Sequence, residues 1–263
     1  MLTFQTLFSG STGNSSFITD GRTRILVDAG VSCKRITEAL RSLGEDPADI
    51  DALLITHEHN DHIKGVDVLC RKYNIPLFVN ESTLYSMPIS DRVSGGAHII
   101  AENTAFTLGD IEITPFRTPH DAADPLGFVF RDEKTLKKLG YASDLGHISR
   151  TVSNALSGCD ALYIESNHDI DMLFSGHYPE SLKRRVAGKR GHLSNDDCAA
   201  FLAHSVRMGT TWAMLGHLSR ENNMPSLAYG TGKTALKENG INDGEDERLF
   251  VSPAAFIREA ITV

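Results

Sequence analysis

Residues 51–62, DALLITHEHNDH, join a short apolar run to three histidines, two acids and one asparagine. The run DALLIT has the composition of a buried strand, and α/β folds commonly place functional side chains where such strands end. His57 and His59 would point the same way in extended backbone, whereas Asp61 and His62 would face a second point nearby. Imidazole and carboxylate ligands suit zinc, manganese or iron. The stretch therefore predicts part of a metal site, and the fold must bring further ligands to the same edge.

Three other candidate strands end in residues of the same kind. His120 closes ITPFRTPH, Asp144 closes LGYASD and His217 closes TWAMLGH. Because strands of one sheet can end at a shared edge, these side chains could complete the site. A lone histidine at a strand end is more often exposed or hydrogen-bonded than bound to metal, so the prediction depends on the combination. In that combination His57, His59 and His120 can hold one metal. Asp61, His62 and His217 can hold a second, and Asp144 can bridge the two.

Strand-like and helix-like segments are interspersed along the chain, which favours α/β layering. After a first strand within 1–10, strands are predicted in 22–30, 51–56, 75–80, 111–118, 126–132, 139–144, 160–166, 211–217 and 248–253. Helices are predicted in 33–44, 63–74, 149–158 and 194–209. Without strict alternation, the pattern is typical of two sheets with helices outside. The polar stretch 237–247 is expected to be a surface loop rather than a domain boundary.

Composition restricts the partners of the chain. A net charge of −8 would repel phosphate backbones on average, so any contact with nucleic acid must be local. We expect no secretory signal at the start and no membrane span, because no apolar run reaches the length of about 18 residues that a span needs. The four cysteines lack C-x-x-C spacing and are expected to be reduced thiols of a cytoplasmic protein.

The motif HEHNDH has the form H-x-H-x-D-H, and with its downstream partners the chain resembles the metallo-β-lactamase fold superfamily. The resemblance implies an αββα sandwich, with two mixed β-sheets flanked by helices, as a single domain over 1–263. It also implies a centre of two divalent metal ions, zinc or manganese with iron as a further option. The implied ligands are His57, His59, Asp61, His62, His120, Asp144 and His217.

Five stretches together make the resemblance more specific. SGSTGNSS, THEHNDHIKG, ESNHD, GHLSN and HLSRENN look like the compact YycJ-type, or WalJ-like, branch. That branch implies a phosphodiesterase or nuclease, with a 5′-exonuclease acting on DNA or RNA as the expectation. Its metal-bridging hydroxide would attack phosphorus, with Asp61 as a catalytic residue. The 72 residues between Asp144 and His217 are too few for the inserted domain of ribonuclease J-type enzymes. His147 stands where close relatives are expected to have tyrosine.

Glu165 and His192 occur in contexts similar to those of an acid pair in ribonuclease Z-like members. An alkoxide leaves poorly without a proton, so His192, oriented by Glu165, is predicted to protonate the leaving oxygen. The competing interpretation is that His192 only packs at the start of a helix.

Other residues are candidates for substrate contact. The loop FSGSTGNSS (8–16) could cradle phosphate, although a plain turn explains the same composition. The segment KRRVAGKR (183–190) could follow a nucleic-acid backbone, with a solvated helix face as the alternative. The candidate residues are Ser11, Asn14, Arg184, Arg185 and Arg220.

The stretch LAYGTGKTAL (227–236) contains Gly-Lys-Thr but is not a phosphate-binding P-loop. That loop needs a glycine five positions before Gly232, and residue 227 is leucine.

Two functions compete with the nuclease. One is hydrolysis of a small thioester, lactam or cyclic phosphodiester, and the other is a metal-binding regulator without catalysis. A purely structural metal site is usually closed, which argues against the regulator. The sequence predicts neither the oligomeric state nor the choice between DNA and RNA.

Overall fold

The computed structural model describes residues 1–93, 96–241, 249–252 and 260–263. The strands of the first sheet are β1 (Thr3–Phe8), β2 (Ser15–Thr19), β3 (Arg24–Val27), β4 (Ala52–Leu54), β5 (Leu77–Val79), β6 (Ala97–Ile99) and β14 (Ile261–Thr262). Those of the second sheet are β7 (Phe106–Leu108), β8 (Ile111–Arg117), β9 (Leu126–Asp132), β10 (Lys138–Ala142), β11 (Ala161–Glu165), β12 (Trp212–Gly216) and β13 (Leu249–Val251).

The α-helices within the described ranges are short and connect these strands. They are α1 (Cys33–Ser42), α2 (Asn60–Ile63), α3 (Val66–Tyr73), α4 (Glu81–Ser86), α5 (Ser90–Val93), α6 (Arg150–Leu156), α7 (Ile170–Ser175), α8 (Glu180–Val186), α9 (Asn195–Arg207) and α10 (Pro225–Glu238). In the part of the chain that is described, no helix has both the length and the apolar character needed to cross a membrane.

Each sheet is half antiparallel and half parallel. The strand orders are β14-β1-β2-β3-β4-β5-β6 and β13-β12-β11-β10-β9-β8-β7. Strands β3 to β6 are parallel to one another, and so are β10 to β13. Parallel neighbours end at the same edge of a sheet. The loops after β4, β10, β11 and β12, which carry most of the candidate residues, therefore begin at the carboxyl edges of the two parallel halves.

The two sheets face each other across an apolar layer, and helices cover their outer faces. Phe4 of the first sheet packs on Tyr163 of the second with ring centroids 5.4 Å apart, and Tyr163 stacks on Tyr141 at 4.6 Å. Separate apolar clusters join the first sheet to α1 and α3 and the second to α6 and α9. Burying each large apolar side chain contributes about 1.5–3 kcal/mol. The predicted αββα sandwich of two mixed sheets is confirmed.

Most predicted elements are present, with local differences. Each of the nine strand segments contains a strand, although positions 248 and 253 at the ends of the last one lie outside the described residues. Each of the four helical segments contains a helix. The glycine-containing stretch 8–16 runs from the end of β1 into β2, and helices α4, α5, α7, α8 and α10 were not predicted. The Gly-Lys-Thr stretch lies inside α10, which confirms that it is no P-loop. Of the predicted loop 237–247, Lys237 and Glu238 instead belong to the last turn of α10, and residues 242–247 lie outside the described ranges.

Candidate metal centre

The structure brings the seven predicted ligands together at one edge of the sandwich. His57 follows β4, and His59 is the residue that precedes α2. Nitrogen and oxygen atoms within 4.8 Å of one another define four overlapping groups of side chains. These groups are His57 with His59 and His120; Asp61 with His62 and His217; His57 with His62 and Asp144; and Asp144 with Glu165, His192 and His217. Asp144 therefore lies between the two predicted triads.

Hydrogen bonds turn the Nε2 atoms of four imidazoles toward the cluster. His57 Nδ1 lies 3.0 Å from the Thr56 hydroxyl, which itself donates to a carboxylate, so His57 Nδ1 donates. His120 Nδ1 donates to the carbonyl oxygen of Gly191 (3.0 Å). The Nδ1 atoms of His62 and His217 each donate to a buried carboxylate (2.8 and 2.6 Å). Such bonds fix the tautomer that leaves Nε2 free to bind metal.

Two buried atoms test whether a metal fits. Nε2 of His57 and Nε2 of His217 are buried and have no hydrogen-bond partner. Burial, reinforced by the charge of His62, holds the pKa of His57 well below its usual value, so this ring is neutral and Nε2 carries a lone pair. Buried polar atoms normally have partners. A lone pair aimed at carboxylates and other imidazoles is the arrangement that a divalent cation satisfies, so the residues fit a metal site.

The charges within the cluster also indicate a metal site. Burial alone would lower the pKa of His62, but the carboxylates of Asp144, Asp28 and Asp61 outweigh it and raise that pKa well above its usual value. Burial alone would raise the pKa of Asp144, but His217 and His62 outweigh it and lower that pKa. The carboxylates therefore stay ionised and need positive charge beside them. Protons on imidazole supply it, and a cation would take their place, because metal binding releases such protons.

Asp28 belongs to the centre although the sequence analysis missed it. This fully buried residue directly follows β3 and accepts hydrogen bonds from His62 Nδ1 (2.8 Å) and from the Thr56 N–H and hydroxyl (both 2.9 Å). Carboxylates in this position orient a ligating imidazole and increase its basicity. An acid that directly ends a buried strand, as in RILVDAG, was the available signal.

Glu165 holds two histidines at once. Its Oε1 accepts from His192 Nδ1 (2.8 Å) and His217 Nδ1 (2.6 Å), while Oε2 accepts from the N–H groups of Leu145 (2.6 Å) and Leu193 (3.2 Å). Burial alone would raise the pKa of Glu165, but the charge and hydrogen bond of His192, with those of His217, lower it to about 2. Burial would lower the pKa of His192, but Glu165 and Asp144 raise it. His192 is therefore an oriented imidazole that keeps its proton.

The backbone around the centre is unusual at three of its acids and histidines. Asp28, Asp144 and His217 have φ angles of 61°, 57° and 54°. Residues other than glycine rarely adopt this left-handed backbone conformation, and asparagine, aspartate and histidine are the types enriched in it. Gly30 allows a further close approach, because a Cβ there would lie 1.6 Å from the carbonyl oxygen of Asp61.

Buried amides join the loops that carry Glu165, His192 and His217. The side chains of Asn195 and Asn223 exchange hydrogen bonds of 2.9 Å in both directions. Asn223 Nδ2 also donates to the carbonyl oxygens of Ser166 and Asn167. Asn167 Nδ2 donates to the carbonyl oxygen of His217 (2.9 Å). Satisfied buried networks of this kind rigidify a structure, which explains the polar motifs ESN, LSN and RENN.

A cavity of about 250 Å³ opens onto the cluster. We call it the metal-site cavity, and it is lined by His59, Asp61, Asp144, His192 and His217 together with Ser11, Asp121, Asn167, Tyr178, Arg185, Gly191 and neighbouring residues. Of the predicted substrate contacts, Ser11 and Arg185 line it, and Arg185 donates to Asp121 (2.7 Å). Asn14 is buried, with Nδ2 3.0 Å from His62 Nε2. Arg184 and Arg220 are exposed and do not line the cavity.

The basic segment 183–190 does not form one continuous exposed face. Lys183 is buried, and its Nζ donates to the carbonyl oxygen of Phe174 (2.7 Å). Arg190 Nε donates to the carbonyl oxygen of His120 (3.1 Å). Lys189 is exposed. Part of the segment therefore supports the walls of the site, and its remaining cations are available to a ligand.

Fold and donor set together define a class of metal-binding hydrolases, and the comparison with known families agrees. Residues 23–217 match the family described as "Beta-lactamase superfamily domain", and the chain belongs to that superfamily. It is 39% identical over 252 residues to "Exodeoxyribonuclease WalJ" of Streptococcus pneumoniae serotype 2, covering 94% of this chain and 93% of that protein. It is 40% identical over 247 residues to "Exodeoxyribonuclease YycJ" of Bacillus anthracis, covering 93% and 92%.

Among solved structures, zinc-bound PqqB from Methylobacterium extorquens superposes with a TM-score of 0.73 at 15% identity, covering 99% of this chain and 100% of that one. At this identity the similarity concerns the fold alone.

Proposed function

We propose that this chain is a metal-dependent exodeoxyribonuclease that removes nucleotides from DNA, beginning at the 5′ end. The observation that carries the proposal is the convergence of seven metal-type donors beside the Glu165–His192 pair, at the floor of an open cavity. Two relatives that are similar over more than nine-tenths of this chain are named as exodeoxyribonucleases, which supports DNA over RNA as the substrate.

Two divalent ions would be held by the cluster, with zinc or manganese favoured and iron a further option for these ligands. His57, His59 and His120 would hold one, Asp61, His62 and His217 the other, and Asp144 would contact both. When bound, such ions polarise phosphoryl oxygens and lower the pKa of water.

In this proposal His192 protonates the leaving oxygen. Its Nδ1 is held by Glu165, so Nε2 carries the proton that can be transferred, and its side chain is 24% exposed where it lines the cavity. Because Glu165 and Asp144 raise the pKa of His192, the ring holds its proton more firmly than a free imidazole does, and an alkoxide needs such a proton to leave. Glu165 does not reach the cavity itself and acts through the orientation and charge of His192.

Asp61 has both a ligating and a catalytic role in this proposal. Burial would raise the pKa of Asp61, but His62 and His217 lower it, so the carboxylate is ionised and can accept a hydrogen bond from an attacking water. Ser11 and Arg185 would contact the substrate inside the cavity, and Arg184 and Arg220 outside it. Asn14, which contacts His62, would orient the centre as well as the substrate.

Cleavage of end-labelled oligonucleotides tests the proposal. Single-stranded DNA and RNA, labelled at either end, are incubated with manganese or zinc and with wild type, Asp61→Ala or the control Asp171→Ala, which removes an exposed carboxylate outside the metal-site cavity. We expect progressive release of mononucleotides from the 5′ end of DNA by wild type and the control only. Release from the 3′ end would refute the polarity, and equal activity of Asp61→Ala would refute the mechanism.

The small volume of the metal-site cavity favours a second candidate, a hydrolase of small thioesters, lactams or cyclic phosphodiesters. Turnover of nitrocefin, a glutathione thioester and bis-p-nitrophenyl phosphate separates the candidates. Rapid turnover of either of the first two, without cleavage of DNA, would replace the nuclease proposal.

We also propose that the chain forms one domain and acts in the cytoplasm. The candidate ligands come from both sheets, so neither sheet could form the centre alone. Cys33, Cys70, Cys159 and Cys198 are all free thiols, which suits a reducing compartment.

A further inference from the structure

A second cavity, of about 440 Å³, is lined in part by His120, which also belongs to the metal cluster. We call it the distal cavity. Its lining includes Arg117, Thr118, His120, His147, Lys189 and Arg190. Its volume is in the range of small-ligand sites. Because His120 lines this cavity and also belongs to the metal cluster, a strand bound at the metal centre could continue directly into it.

Cations outnumber acids in the lining of the distal cavity, although the chain as a whole carries a net charge of −8. Three cations line it, and Asp124 is the acid in its lining. Arg117 is paired with two acids, Asp124 (2.7 Å) and Glu102 (3.3 Å). Arg190 donates to carbonyl oxygens rather than to an acid, and Lys189 is exposed. Concentrated cations on an acidic protein attract anionic ligands to that place.

The hydroxyl of Thr118 is a second indication of a ligand and does not depend on charge. Thr118 is 6% exposed, lines the distal cavity, and its buried Oγ1 has no hydrogen-bond partner. Buried polar atoms normally have a partner, and a hydroxyl can donate to a phosphate oxygen. The unpartnered hydroxyl and the cations around it would therefore bind the same kind of ligand, an anion such as phosphate.

The walls of the distal cavity are tied together before any ligand arrives. The N–H of Gly146 donates to the carbonyl oxygen of Pro119 (2.8 Å), and His147 Nδ1 donates to the carbonyl oxygen of Lys189 (2.9 Å). A Cβ at Gly146 would lie 2.3 Å from that same Lys189 oxygen, so the two segments are in close contact. The bond from Nδ1 holds the ring of His147 in a defined position and leaves its Nε2 available to a ligand. His147 is the residue that stands where a tyrosine was expected.

We propose that the distal cavity binds the sugar-phosphate backbone of the DNA strand next to the nucleotide being removed. This inference rests on the proposed exonuclease function and adds a second binding site to it. Thr118 and Lys189 contact phosphate oxygens, and His147 contacts the adjacent nucleotide. A small phosphodiester occupies the metal-site cavity alone and makes none of these contacts.

Lys189→Gln tests the proposal, with Lys237→Gln as the matched control. Lys237 is an exposed lysine of α10 that lines neither cavity. The measurement is kcat/KM for a single-stranded 12-nucleotide DNA and for bis-p-nitrophenyl phosphate, at several salt concentrations. For Lys189→Gln we expect the ratio of DNA to ester activity to fall at least fivefold. The slope of log kcat/KM against log salt for DNA should become shallower by about 0.7, the value for one lost phosphate contact on a single strand.

Two results would overturn the proposal. If Lys189→Gln and Lys237→Gln give the same ratio and the same salt slope, the strand does not use the distal cavity. If Lys189→Gln lowers DNA and ester activity equally, the substitution acts on the metal centre. Thr118→Val, which removes only the unpartnered hydroxyl, should lower the same ratio at least twofold, and no change in it would also count against the proposal.

Failure of the exonuclease proposal would be visible separately. If wild type cleaves no DNA, fluorescence anisotropy of the same labelled 12-nucleotide strand, in EDTA, still measures binding. Weaker binding by Lys189→Gln than by Lys237→Gln would support the distal cavity as a DNA site without the nuclease. Equal binding by both variants would show that the distal cavity does not bind DNA and would refute the proposal.

Discussion

Replacing Glu165 by glutamine should either lower the stability of the metal-bound protein or weaken its metal binding. The carboxylate accepts from two histidines through Oε1 and from two backbone N–H groups through Oε2. Glutamine supplies one oxygen and one NH₂ group. With His217 bound to metal through Nε2, its Nδ1–H must face the oxygen, and the NH₂ group then faces the N–H donors of Leu145 and Leu193.

The cost follows from counting those donors. Each buried donor left without an acceptor costs about 1–3 kcal/mol, so two cost roughly 2–6 kcal/mol. For a chain of this size each kcal/mol lowers Tm by about 2–4 °C, which gives a fall of roughly 5–20 °C. The opposite orientation of the amide satisfies all four partners only if both imidazoles carry their proton on Nε2. His217 then has no lone pair for a metal.

Circular dichroism melting and metal analysis, with and without bound metal, check this reasoning. Glu165→Gln should lose metal or melt roughly 5–20 °C below wild type when loaded, and the difference should be smaller after EDTA treatment. Glu238→Gln, at an exposed position of α10, is the control and should match wild type. A loaded Glu165→Gln protein with full metal content and an unchanged Tm would refute the proposed hydrogen-bond accounting.

Three further predictions concern orientation, helix propensity and thiols. Asp28→Asn should weaken metal affinity by about 10–100-fold, because His62 loses the carboxylate that orients it; unchanged affinity in competition with a chelator would contradict this. Gly230→Ala should raise the free energy of unfolding by about 0.5–1 kcal/mol in urea, because a Cβ there meets nothing within 4 Å inside α10. Burial raises the pKa of Cys159 and of Cys198 to about 12, so a thiol reagent at pH 8 should modify them only as the protein unfolds. Rapid modification of the native protein would show that these thiols are accessible.

The ligands could be predicted because they follow short strands: four come after β4, and His120, Asp144 and His217 come after β8, β10 and β12. A strand that ends in histidine or aspartate is recognisable locally, and parallel strands guarantee that their ends meet. Asp28 carries the same local signal at the end of β3, but its contact with His62 could not be predicted from it. It reaches His62 because β3 lies parallel to β4, with Val27 opposite Leu54, and that pairing is not encoded in either segment alone.

Charge was harder to interpret from sequence than donor type. Lys183, Arg184 and Arg185 are consecutive in sequence, yet the first is buried against α7, the second is exposed and the third is bound to Asp121. The distal cavity draws its cations from β8 and from the segment after α8, which are about seventy residues apart in the chain. Composition and spacing cannot reveal such an assembly, because it depends on how the loops fold against each other.

The left-handed backbone at Asp28, Asp144 and His217 affects how scanning mutagenesis of the centre should be interpreted. Alanine in this conformation carries a backbone penalty of about 1–2 kcal/mol that glycine does not. An alanine variant at these positions therefore combines two effects, the loss of the side chain and the backbone penalty of the left-handed conformation. Pairing each alanine variant with a glycine variant separates them: function lost in both belongs to the side chain, and stability regained with glycine belongs to the main chain.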